Sequence, residues 1–228
     1  MKRMKEAFNL FRRSIFPSVC PFCGEPVSGE ESCCVSCRKT VRPKLIKRVF
    51  SLENGRTLSC LAVFPYEAVR KAVLDLKFRD VKHNGAVFGS LMTEHKEVRQ
   101  FLKGAEGLVP VPISKKRREE RGYNQSELIA EALHDFCGVP VVSGLVKHRH
   151  TEAQSTLSRE ERLRSVKGAF SVKDVGAVEG KSVLLVDDIV TTGATLCACA
   201  DALYSAGALE VRALAFSHSD FADGDRTA

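Results

Sequence analysis

The chain is predicted to be an α/β protein, a parallel sheet flanked by helices with a small metal-braced unit at its N-terminus, on three observations. Strand-like and helix-like segments alternate from Thr57 onward. A buried, β-branched run at Val183–Val186 leads into two acids and a hydroxyl-rich turn, and four cysteines near the start fall into two C-x-x-C pairs. Such alternation argues for parallel strands that gather ligands at their carboxyl ends.

Residues 1–17 place Met4, Phe8, Phe11 and Ile15 at helical spacing between basic flanks, which predicts a short amphipathic helix. Docking on the body of the protein and peripheral contact with a membrane surface are both open to it. It is too charged and too brief for the apolar core of a secretory signal.

Residues 18–50 form the expected second unit. Cys20, Cys23, Cys34 and Cys37 give the spacing C-x2-C-x10-C-x2-C, two tight knuckles whose sulfurs can converge on a tetrahedral zinc ion, so a zinc ribbon is expected. Gly24 suits the sharp turn after the first pair. Cys33 could stand in for Cys34, and the spacing does not choose between them. Disulfides would require export, and a redox pair would not need its double about ten residues on. A unit of about thirty residues buries too little surface to fold without its metal. The remaining Cys60, Cys137, Cys197 and Cys199 lie in apolar patterns and read as core thiols. Nine cysteines without a secretory signal point to a reducing compartment, so the protein is expected in the cytoplasm, with the inner face of the plasma membrane as the place for any lipid contact.

Residues 51–228 carry the sheet. Thr57 to Phe64 reads as a strand, Tyr66 to Lys77 as a helix, Gly85 to Leu102 as mostly helical, and Gly107 to Pro112 as a strand ending in a rigid Pro110-Val111-Pro112 turn. Ser114 to Arg121 reads as a basic loop running into a helix over Asn124 to Phe136, with Asn124 as its cap. Strands are expected at Val139 to Val146, Gly168 to Val172, Ser182 to Val186 and Leu209 to Phe216, with a helix over Ala194 to Ala206 closed by Gly207. Between them Lys147 to Ser158 is polar without periodicity and reads as a mobile loop, in which His148 and His150 are more naturally solvent-exposed than catalytic.

The segment after Val186 carries the chemistry. Thr191, Thr192, Gly193, Ala194 and Thr195 place small side chains around the amides of a helix N-terminus, where exposed donors and the helix dipole favour an anion. Asp187 and Asp188 would repel that anion, so they call for sugar hydroxyls or a divalent cation with oxygen ligands. The whole string resembles the phosphoribosyl pyrophosphate (PRPP) motif of type I phosphoribosyltransferases. By that resemblance the two acids hold the ribose hydroxyls and Thr191 to Thr195 the 5-phosphate. Val111, Pro112 and Arg121 should face the same site, where cations can neutralise pyrophosphate.

Over nearly its full length the chain resembles the ComF family of competence-associated proteins. The resemblance is carried by the four cysteines, Leu76-Lys77-Phe78, Val109-Pro110-Val111-Pro112, Arg117-x-x-x-Arg121-Gly122-Tyr123-Asn124-Gln125, His148-Arg149-x-Thr151-x-x-Gln154 and Val183 to Leu196. It departs at Ser165, where the family usually has Asn. The resemblance implies a type I phosphoribosyltransferase-like domain with an N-terminal zinc finger, and a role in the uptake of single-stranded DNA during natural transformation. Zinc, Mg²⁺ with PRPP, single-stranded DNA and the DNA-uptake machinery are the implied cofactors and partners. If the domain is active, Asp187, Asp188 and Arg121 are the residues expected to orient the sugar and hold the departing pyrophosphate. No acceptor site announces itself, so a binding protein and a transferase acting on an unidentified acceptor both remain open.

Charge fits a polyanionic partner. Residues 1–50 hold 11 Lys and Arg against 4 Asp and Glu, and the remainder holds 24 of each, so the formal surplus of seven lies in the N-terminal part, where Lys44, Lys47 and Arg48 follow the ribbon. The sequence contains neither G-x-x-x-x-G-K-[ST] nor a G-x-G-x-x-G after a strand, which disfavours the common nucleotide-binding loops. It has no apolar stretch of membrane-spanning length and no internal repeat.

Overall fold

A computed structural model describes residues 19–27, 31–148 and 168–219. The leading amphipathic segment, most of the polar loop after His148, and Ser165 lie outside the described residues. The chain divides into two units, Met1–Arg42 and Pro43–Ala228.

In the small unit Val19 bridges Pro26, the Cys20 amide donates to Glu25 O at 2.8 Å, and the Gly24 amide donates back to Cys20 O at 2.8 Å. Gly24 takes φ +86°, the left-handed turn that an L side chain rarely adopts. The second cysteine pair is not a second knuckle. Cys34 caps helix α1 (Val35–Thr40), its sulfur accepting the Cys37 amide at 3.3 Å, so Cys37 lies in the first helical turn.

The large unit is a five-stranded sheet in the order β1-β2-β7-β6-β3. β2 (Thr57–Pro65), β7 (Glu210–His218), β6 (Ser182–Val190) and β3 (Gly107–Pro110) run parallel, and β1 (Ile46–Ser51) is antiparallel on the edge beside β2. Residues 46–50, grouped with the ribbon by sequence, thus belong to the sheet. Pairing with the nine-residue β2 outweighs the basic character that joins Lys47 and Arg48 to the cysteine segment.

Helices cover both faces. On one side lie α2 (Tyr66–Phe78), α3 (His83–Thr93), α4 (Lys96–Leu102) and α6 (Gln125–Cys137), with Phe88 of α3 stacked on Phe216 of β7 at 3.7 Å between ring centroids. The expected helix over Gly85 to Leu102 is two helices, broken at Glu94 and His95. α3 and α6 approach closely because of two glycines. A Cβ on Gly85 would lie 2.4 Å from Leu128 Cβ, and one on Gly89 2.4 Å from Ala132 Cβ. On the other face α7 (Ala194–Ser205) packs with Val183, Leu185, Val211 and Ala213 and with the hairpin of β4 (Leu145–Lys147) and β5 (Phe170–Val172).

Two further expectations are revised. The run from Val139 serves two sheets in turn, bridging Leu108 through Val141 and only then pairing in the hairpin from Leu145. Residues 115–121 are a helix, α5 (Lys115–Arg121), capped by Ser114 and closed by Gly122 at φ +74°. The path out of β3 runs through α6 on one face, whereas that out of β6 runs through α7 on the other. The crevice between β3 and β6 is therefore a topological switch point, the usual ligand position in such sheets.

Candidate functional site

At that crevice β6 does not stop at Val186. Asp187, Ile189 and Val190 continue the ladder opposite Ala215, Ser217 and His218, so both acids are held within a strand. Asp187 is half-buried and accepts the Ser126 hydroxyl at 3.1 Å and the Asp188 amide at 2.9 Å. Burial first, then the Asp188 charge, raise its pKa to about 8, against the opposing pull of Lys77 and the two hydrogen bonds. Asp188 is 6% exposed and pairs with Lys77 Nζ at 2.5 Å, while the Ser217 hydroxyl donates to its backbone carbonyl at 2.9 Å.

Val111 and Pro112 stand beside the acids. The Val111 amide donates to Val186 O at 2.9 Å, and Asn124 Nδ2 donates to Val111 O at 3.0 Å. Asn124 Oδ1 also accepts the Ser126 amide at 3.2 Å, so one side chain caps α6 and fixes the loop after β3. Gln125, the first residue of α6, is 1% exposed, and its Nε2 has no hydrogen-bond partner among the described residues.

Cations gather around this pair. Arg121 ends α5 within the field of Asp188, and burial followed by the Arg117 charge depresses its pKa. Lys147 of β4 is shifted down by burial and again by Arg117, while Asp187 acts on it in the opposite sense. Lys115 and Lys116 instead form exposed pairs with Glu119 and Glu120 at 3.8 and 4.0 Å, the solvated face expected of a charge run.

The turn after β6 is built for close approach. Gly193, at φ +80°, is the N-cap of α7, and a Cβ on it would lie 2.5 Å from two atoms of the Phe50 ring. Thr192 Oγ1 accepts the Ala194 amide at 3.4 Å, Thr191 is exposed, and Thr195 lies in the first turn of α7. Asp187, Asp188, Val111, Pro112, Arg121 and residues 191–195 therefore share the carboxyl ends of β3 and β6 or the helix ends beside them. Sequence pattern alone gives no role to Lys77, Ser126 or Phe50. For Lys77 the signal was present in Leu76-Lys77-Phe78, but not its partner. His148 is held at the hairpin, its amide bonded to Ala169 O at 2.8 Å and its ring nitrogen Nε2 to the Ser171 hydroxyl.

In the small unit the sulfurs of Cys20, Cys23, Cys34 and Cys37 lie within 4.8 Å of one another, with Cys23 and Cys34 at 3.6 Å. A tetrahedral zinc with bonds of about 2.3 Å requires sulfurs about 3.8 Å apart, so the set fits such a metal. Burial raises the Cys20 pKa, but amides of Cys23, Cys34 and Phe22 directed at its sulfur win and lower it to about 7. Cys33, 1% exposed, is not in the cluster, which decides between it and Cys34.

The parallel sheet, the acid pair at its switch point and the glycine turn define a phosphoribosyltransferase-type domain, here accompanied by a four-cysteine cluster able to hold a metal such as zinc. The phosphoribosyl transferase domain model matches residues 121–220. Competence protein ComFC of Bacillus subtilis (strain 168) is 34% identical over 191 residues, covering 81% of this chain and 70% of that protein. Competence protein ComFC of Streptococcus pneumoniae is 32% identical over 191 residues, 81% of this chain and 79% of that protein. DNA utilization protein YhgH of Salmonella typhimurium (strain LT2) is 29% identical over 199 residues, 86% and 82% of the two chains. The chain belongs to the ComF family. Among the described residues no helix is long and apolar enough to cross a membrane.

Proposed function

We propose that this protein binds PRPP together with Mg²⁺ at the Asp187–Asp188 site and handles single-stranded DNA in the cytoplasm during natural transformation, with zinc held by its four cysteines. The observation that carries the reading is the acid pair in the last half of β6, at the switch point, followed closely by the glycine turn at Gly193 that opens α7. Asp187 holds its proton up to about pH 8, and a cation or hydroxyl donor would relieve that state, which suits both Mg²⁺ and a pentose diol. The amides around Gly193 would take the 5-phosphate, and Arg117, Arg121 and Lys147 would offset the pyrophosphate charge. The names of the relatives, competence and DNA utilization, support the DNA side of the reading. They also favour contact with the DNA-uptake machinery, to which the leading amphipathic segment could bring the protein at the inner membrane face.

The test is calorimetry of the zinc-loaded protein with PRPP and Mg²⁺. Binding by the wild type, and its loss from an Asp187→Ala plus Asp188→Ala variant that keeps its zinc, is the expected result. Absence of binding by the wild type would overturn the PRPP reading. Transfer to an acceptor is the second reading, favoured by the three cations grouped beside the acids. Pyrophosphate release that depends on one added acceptor would select it.

A further inference from the structure

Phe78 is the most exposed of the large apolar side chains described, at 69%, yet it closes a helix most of whose other apolar residues are buried. Val69, Ala72, Val73 and Leu76 form the buried stripe of α2, and Phe78 falls outside it. The ring is not idle. The Arg121 guanidinium lies over it, 5.0 Å from the centroid. Its chain neighbour Lys77 grips Asp188 at 2.5 Å, so the ring stands at the rim of the acid-pair site.

Two contacts tie this corner together. The Tyr123 hydroxyl donates to Leu76 O, tying the start of α6 to the last turn of α2, and Arg118 Nη1 meets Glu127 Oε1 at 2.5 Å, tying α5 to α6. Further cations lie alongside: the exposed Arg79 pairs with the buried Asp75 at 3.1 Å, and the exposed Lys82 pairs with the surface carboxylate of Asp80 at 3.3 Å and lies 5.1 Å from the Tyr123 ring centroid. An exposed pair such as Lys82 with Asp80 contributes little, which leaves its cation accessible to a phosphate.

We infer that Phe78, backed by Arg121, is a stacking platform for an unpaired nucleobase of a single-stranded nucleic acid that runs along this cationic rim. This rests on the DNA-handling part of the function proposed above and gives it a place, at the phosphoribosyl site rather than at Lys44, Lys47 and Arg48. A free base or nucleotide serving as a small acceptor would need an enclosed pocket with groups on its hydrogen-bonding edge. An open aromatic face flanked by solvent-exposed cations suits a polyanion bound with little regard to sequence.

The test is fluorescence anisotropy of the full zinc-loaded chain with labelled oligothymidylate, with an abasic strand of the same length and with duplex DNA. Phe78→Ala is expected to weaken oligothymidylate roughly thirtyfold, the middle of the range for one lost stacked base, while leaving the abasic strand unchanged. Phe78→Trp should restore binding, and the thermal midpoint of each variant should match the wild type, since an exposed ring contributes little to the core. Equal oligothymidylate affinity in Phe78→Ala and wild type would overturn the inference, as would a wild type that binds no single strand or binds duplex equally well. PRPP calorimetry on the same preparation separates the two readings. Phe78-dependent oligothymidylate binding without PRPP binding would sink the PRPP assignment and leave the platform standing.

Discussion

Gly193→Ala is the sharpest perturbation available, because two independent penalties fall on one methyl group. At φ +80° an alanine costs about 1–2 kcal/mol relative to glycine. Its Cβ would also stand 2.5 Å from the Phe50 ring, which is buried in the core and must shift; overpacking of this kind costs about 1–3 kcal/mol. The sum, about 2–5 kcal/mol, is a large share of a typical domain stability of about 5–15 kcal/mol. In urea, with a slope of about 2–3 kcal/mol per molar, the midpoint should fall by about 1–2 M. The second penalty is removable. In a Phe50→Leu background the ring is gone, so adding Gly193→Ala should cost only the backbone part, about 1–2 kcal/mol. An additive double mutant would refute the ring contact, and a Gly193→Ala protein as stable as the wild type would refute the turn geometry altogether.

Three further outcomes are expected. With Asp187 raised to about 8 in the folded state, against about 3.9 in an unfolded chain, its contribution to stability is full at low pH and is lost as pH rises through about 8. The stability of the wild type relative to Asp187→Asn should therefore fall across that window in urea titrations, and a flat difference would contradict the burial of the acid. Cys34→Ser should lose bound zinc while Cys33→Ser retains it, measured by metal analysis after gel filtration, because only Cys34 joins the sulfur cluster. Lys77→Met leaves the buried Asp188 carboxylate without its 2.5 Å partner and should cost about 3–5 kcal/mol, part of which a second change, Asp188→Asn, should return.

Much of this architecture was legible as pattern. The alternation after Thr57 announced a parallel sheet, and the string from Val183 to Leu196 announced an anion turn beside two acids. Legibility failed where a residue's environment comes from another part of the chain. Acids are poor strand formers, so Asp187 and Asp188 read as the end of β6, yet pairing with β7 carries the strand four residues further. α5 has no apolar periodicity and read as a loop, whereas its caps and i,i+4 ion pairs make it helical. Gly85 and Gly89 look like helix weakeners until α6 is placed against them. Nothing local to Lys77 says that the last turn of α2 ends against β6, so its ion pair is visible only in three dimensions.

The contact between α3 and α6 sets a spelling rule for relatives. Because Ser126, on the first turn of α6, reaches the acid pair, the depth at which that helix settles is part of the ligand geometry. Gly89 and Ala132 are already almost touching, so a homologue that writes alanine at the first must write glycine at the second, or let the hydroxyl drift off its carboxylate. Paired exchange at two sites remote from any ligand would thus be the evolutionary trace of the binding cleft.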